Sequence, residues 1–63
     1  MKAIKLTIGT ENAAFFGDPG PEVAKILREL AEMFAHQSEA GIPSAITLRD
    51  CNGNKVGLCI VEL

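Results

Sequence analysis

Nothing in these 63 residues approaches the ~20 consecutive apolar residues that a membrane-spanning helix requires. Nor is there a cluster of basic residues: six Lys and Arg are scattered among eight Asp and Glu, for a formal net charge of −2. A nucleic-acid binder of this size usually gathers its cations on one face, so nucleic acid is a disfavoured partner. The isoelectric point near 5.2 is also too mild for a DNA mimic. One histidine and two cysteines without a CxxC pair leave no zinc site. The first residues lack the apolar core and small-residue cleavage site of a secretory signal, because Lys5 and Thr7 interrupt it. The default expectation is a cytosolic protein with no membrane contact and no cofactor.

What remains is globular. The chain is 48% hydrophobic and 22% charged, with no repeat and no low-complexity run, and reads as a single domain over residues 1–63. A chain this short buries only about 60% of its unfolded surface, so a partner or a second copy would add needed area.

The strongest local signal is LRDCNGNKVG, Leu48 to Gly57. Asp50 suits the first position of a type I turn, where its side chain can bond the turn's amides. Gly53 suits the fourth, where φ is positive. A three-residue loop, Cys51-Asn52-Gly53, pairs Leu48 with Val56 and Ile46 with Leu58, keeping apolar residues together. A two-residue loop would set Arg49 against Val56 and Thr47 against Leu58. The three-residue hairpin is therefore expected.

Elsewhere the pattern is equally plain. Met1 to Gly9 alternates, with Ile4, Leu6 and Ile8 on one side, and predicts a half-buried strand. Thr10 to Gly20 is a connection in which one of Phe15 and Phe16 should enter the core and the other stay near the surface. Pro21 opens a helix with Glu22 at its positive end. Val23, Leu27, Leu30 and Phe34 form its apolar stripe, flanked by Ile26 and Met33, and the helix should fray at His36 to Ser38. Strands occupy Ala45 to Arg49 and Lys55 to about Glu62.

The order is β-α-β-β, an α+β fold with one helix on one face of a mainly antiparallel three-stranded sheet. Strand order 1-3-2 makes every neighbour antiparallel; a right-handed crossover with the first two strands adjacent is the alternative. The third strand is apolar on both sides, which favours the centre. Val56, Leu58 and Ile60 are expected to face the helix, leaving Cys59, Val61 and Leu63 on the open face.

No constellation amounts to a catalytic set. His36 lies at a helix end, where an imidazolium favours the dipole. Cys51 has no base beside it, and Asp50 would raise its pKa. Asp50 to Asn54 places oxygens at alternate positions like a calcium loop but lacks the trailing glutamate. Gly17-Asp18-Pro19-Gly20 before the helix could cradle an anion, yet Pro21 removes a donor and Glu22 repels negative charge. Small tautomerases of this length use a proline after Met1, where this chain has Lys2. Small RNA-cleaving toxins of double-stranded-RNA-binding shape carry a basic face and a strand histidine, which it also lacks.

Taken together, KLTIGTENAAF (Lys5 to Phe15), PEVAKILRELA (Pro21 to Ala31) and LRDCNGNKVG resemble a group of small uncharacterised proteins encoded in bacteriophages and prophages. Their pattern is KLTIxTxNAAF, EVARILRELA and LRDxNGNxVG; Phe16, Cys51 and Cys59 are local departures from it. The resemblance implies a phage accessory gene expressed in the host cytoplasm and carries no active site with it.

The functional expectation is a non-enzymatic interaction module that modulates a host protein, a defence component included. The alternative is a nucleotide or anion binder using a dimer cleft near Gly17 to Gly20. The expected interaction surface comprises Cys59, Val61, Leu63 and Phe16. A homodimer is expected through the open sheet face or a free strand edge, because one helix can cover only one face.

Overall fold

The computed structural model describes residues 2–62. Strand β1 (Ala3–Ile8) is followed by a short 3-10 turn at Ala13–Phe15, helix α1 (Gly20–Ala35) and a second 3-10 turn at Glu39–Gly41. Strands β2 (Ala45–Arg49) and β3 (Lys55–Glu62) complete the chain. The sheet order is β1-β3-β2 and both ladders are antiparallel, so the alternative crossover is discarded. The fold is α+β, with the longest strand in the centre.

Helix α1 begins one residue earlier than its proline suggests. Pro19 is the N-cap and Val23 N–H donates to its carbonyl at 3.0 Å, leaving Pro21 in the first turn where no intrahelical donor is lost. The Asp18 carboxylate accepts from Gly20 N–H at 3.0 Å. The helix stops at His36, whose amide reaches back to Glu32 and Met33. On the wet face Lys25 lies 3.5 Å from Glu29, and it also stands 3.7 Å from the largely covered carboxylate of Glu22.

The apolar stripe of α1 is rotated from the one its spacing suggests. Ile26, expected on the flank, is almost fully buried, whereas Leu27, expected at the centre, is 41% exposed. Val23, Leu30 and Phe34 pack with Ile26 against the core. Both assignments contain Val23, Leu30 and Phe34; they differ in which adjacent residue the sheet covers.

The hairpin closes as a three-residue loop. Asp50 N–H donates to Asn54 C=O and Gly53 N–H to Asp50 C=O, each at 3.0 Å. Gly53 has φ +83°, the left-handed conformation that a glycine bulge needs. Arg49 then pairs with Lys55, as that loop dictates, but one step later the register shifts. Leu48 faces Gly57, Thr47 faces Leu58 and Ile46 faces Cys59. Val56 is the extra residue, a β-bulge in β3.

That bulge inverts the expected faces of β3. Cys59 and Val61, expected on the open face, are buried under the helix with Leu48, Ile26 and Phe15. Leu58 and Ile60, expected beneath the helix, lie on the other side opposite Thr7 and Lys5. A bulge satisfies both ends of the hairpin at once. The turn keeps its preferred three-residue loop, and Val56 still packs against the core although Cys59 and Val61 do so too.

Gly57 makes the bulge fit. A Cβ built there would collide with the Thr7 carbonyl oxygen and crowd Ile8 Cα at 3.1 Å. The β1 backbone thus crosses over the space any side chain would fill, and only glycine lets the edge strand close onto the bulged one.

Candidate functional site

Two segments far apart in sequence meet at the hairpin end of the sheet. Asp50 is only 5% exposed although charged, and its oxygens are met from several directions. Oδ1 accepts from the backbone amides of Asn52 and Asn54, each at 2.9 Å. Oδ2 accepts from Asn12 Nδ2 at 3.3 Å and from Asn54 Nδ2 at 3.4 Å. Burial pushes this carboxyl up, but the hydrogen bonds outweigh it and hold the group below its ordinary value near 3.8. The carboxylate is a structural anchor saturated by the chain itself, and its oxygens are poorly placed to take a ligand.

Asn12 starts the 3-10 turn, so Asp50 also positions the two phenylalanines beyond it. Phe15 is buried at 3% exposure, and Phe16, the next residue, is 92% exposed. One phenylalanine inside and one outside is the division expected from two adjacent residues. Phe16 N–H donates to Ala13 C=O at 3.0 Å, which holds its backbone in an ordered turn. The outcome is an aromatic ring presented to solvent just beyond two anchors, Phe15 in the core and Asn12 on Asp50.

Of the expected interaction surface, Phe16 alone is placed in the open. Cys59 and Val61 are core residues, because the bulge turns them beneath the helix, and Leu63 lies outside the described residues. Burial also pushes the Cys59 thiol up, which makes it inert. Cys51 is a free thiol exposed in the turn. His36 Nε2 lies 3.0 Å from Glu32 Oε1, one helical turn back, an exposed pair that steadies the end of α1.

Periodicity missed three other surface residues. Ile4, Leu6 and Leu27 are 47%, 41% and 41% exposed. Ile4 and Leu6 lie opposite Val61 and Cys59, on the helix-covered side of the sheet, yet the helix leaves them open. The reason is lateral: Leu48 of β2 is buried and Ile46 half-buried where Ile4 and Leu6 of β1 are open, so the helix covers the β2 side. A cleft of about 160 Å³ is left between Ile26, Leu30 and Met33 of α1 and Ile46 and Leu48. Leu27, on the opposite flank from Met33, faces the β1 side.

Neither hollow suits a nucleotide. The α1–β2 cleft is smaller than the roughly 300 Å³ at which ligand pockets begin. A hollow of about 470 Å³ beside Gly9 to Asn12 and Lys55 is large enough, but opposes Glu11 to Lys55 and offers no surplus of positive charge. At the helix start an anion would meet Asp18, already bonded to Gly20 N–H, and then Glu22. Among the described residues no group of three His, Cys, Asp or Glu could hold a metal, and no helix is long and apolar enough to cross a membrane.

The structure thus defines a β-α-β-β domain with a saturated polar tie at one end of its sheet and exposed apolar side chains elsewhere. No family model, curated protein or solved structure matches the chain.

Proposed function

We propose that this protein is a non-enzymatic interaction module, a bacteriophage or prophage accessory factor that binds and modulates a host protein in the bacterial cytoplasm. The observation that carries the reading is Phe16, 92% exposed on a turn fixed by Phe15 and by the Asn12–Asp50 hydrogen bond. A large aromatic ring on an ordered backbone loses little freedom on binding, which is the property of an interface anchor. The phage origin rests on the resemblance of the NAAF and LRDxNGNxVG segments. Those segments supply the tie that presents the ring.

The test is stoichiometric co-purification of one host protein with the tagged chain from bacterial cells. A partner retained by Lys25→Glu and lost with Phe16→Ser supports the reading. Equal capture by both variants removes Phe16 from it. A nucleotide-binding reading makes a different forecast, a rise in melting temperature with added nucleotide by mass action. A flat response across nucleotides and cyclic nucleotides excludes it.

A further inference from the structure

Independently of any host partner, we infer that the free edge of β1 pairs with the same edge of a second copy, Leu6 opposite Leu6, to form a continuous six-stranded sheet. Strand order leaves two edges open, β1 and β2. The two differ in what lies beside the backbone. Along β2 the residues on the helix side are covered: Leu48 is buried and Ile46 half-buried. Along β1 the equivalent residues, Ile4 and Leu6, are nearly half exposed. An unprotected backbone edge beside exposed aliphatic side chains is a template for strand addition.

Hydrogen-bond parity says which amides are available. Gly9 N–H donates to Val56 C=O at 2.7 Å, so Gly9 points at β3. In an antiparallel ladder alternate residues do the same, which turns Thr7 and Lys5 toward β3 and Ile4, Leu6 and Ile8 outward. The alternation ends at Lys2, whose N–H also donates to Glu62 C=O at 2.7 Å. The outward set is also the aliphatic set. A partner strand that meets those amides therefore meets those side chains.

Two symmetric registers overlap five residues of β1, one centred on Lys5 and one on Leu6, and charge selects between them. Pairing about Lys5 would set two lysines against each other at the close, non-hydrogen-bonded spacing, which like charges disfavour. Pairing about Leu6 sets Leu6 against the partner's Leu6 and Ile4 against the partner's Ile8. Each of these becomes a hydrogen-bonded pair, and Lys5 faces the partner's Thr7. Lys5 projects from the opposite sheet face to Ile4 and Leu6, with its ammonium 2.9 Å from Glu62 Oε1. Every hydrogen-bonded pair then joins even-numbered residues, whose side chains lie on the helix side of the sheet, and this puts both helices on the same face of the joined sheet. Leu27 of each copy, on the β1 flank of its helix, stands over the seam.

The experiment combines mass with amide exchange on the whole chain. Sedimentation equilibrium at micromolar concentration should give twice the 6.7 kDa chain mass. In the dimer the amides of Ile4, Leu6 and Ile8 should exchange at least about tenfold more slowly than on dilution to monomer, while Ala45 and Thr47 on the β2 edge stay unchanged. Leu6→Pro removes an amide that β3 does not use, a substitution edge strands tolerate. It should abolish the dimer while leaving the helical circular dichroism intact. If Leu6→Pro fails to fold, the wild-type exchange pattern decides alone. A monomer at micromolar concentration, or a dimer whose Ile4, Leu6 and Ile8 amides exchange freely, would overturn the inference.

Discussion

Asn12 and Asp50, 38 residues apart, are joined by a hydrogen bond from Nδ2 to Oδ2 at 3.3 Å, and the tie makes the hairpin turn and the Phe15-Phe16 segment one unit. Asp50 acts inward through its turn amides and outward through Asn12. The NAAF segment and the hairpin sequence are therefore two halves of one local structure. What they jointly place is a buried Phe15 beside an exposed Phe16.

This tie should be acid-sensitive. The folded-state pKa of Asp50 is lowered, so its contribution is fully present above the unfolded carboxyl value near 3.8. It is lost as pH falls through the lower folded value. Urea midpoints should be level from neutral pH down to about pH 4 with respect to this group and drop below that. In Asp50→Asn the neutral-pH midpoint should fall, and part of the acid-induced drop should disappear. Asn12→Ala, which removes one donor to the carboxylate, should lower the neutral-pH urea midpoint and narrow the acid-induced drop.

Gly57 should be the least replaceable glycine in the sheet. A methyl group there meets the Thr7 carbonyl, whereas one at Gly9 comes no closer than 3.4 Å to the Val56 carbonyl. Gly57→Ala should cost on the order of 3 kcal/mol or more because β1 must move off β3. Gly9→Ala should stay within about 1 kcal/mol. Equal urea midpoints for the two variants would mean that β1 does not cross closely over the bulge.

The sequence made some of these features legible and concealed others, for physical reasons. Asp50 and Gly53 act within a few residues of themselves, so the turn could be read from residue type. Strand order could be read from the apolar character of both sides of β3. The bulge could not, because Val56 is equally apolar in either register and Gly57 carries no side chain to mark its face. With the bulge missed, Cys59 and Val61 exchange faces with Leu58 and Ile60, and the expected interaction surface goes with them. The Asn12–Asp50 tie was likewise hidden. It joins two polar residues, each of which has a sufficient local role as a turn former.

The helix shows a smaller error of the same kind. Ile26 and Leu27 are adjacent aliphatics of equal hydrophobic weight, and only the position of α1 over β2 decides between them. Ile26→Ala should cost about 2–5 kcal/mol, enough to unfold a domain this small. Leu27→Ala, 41% exposed in the single chain, should cost less than about 1.5 kcal/mol by thermal or urea unfolding at low concentration.

The two phenylalanines should separate stability from binding. Phe15 is 3% exposed and packs with Ile26, Leu48, Cys59 and Val61, so Phe15→Ala removes the ring that joins the connection to the core. Truncations of this kind cost about 3–5 kcal/mol, comparable to the whole stability of a small domain. The Phe15→Ala chain should melt without cooperativity at ambient temperature, or fail to accumulate. Phe16 is 92% exposed, and Phe16→Ala should move the urea midpoint by no more than about 0.5 kcal/mol equivalent. If Phe16 is the anchor of an interface, the same variant should lose the host protein while keeping the fold. A Phe16→Ala chain that is as unstable as Phe15→Ala would show that the ring serves the core, and would leave the interaction reading without its anchor.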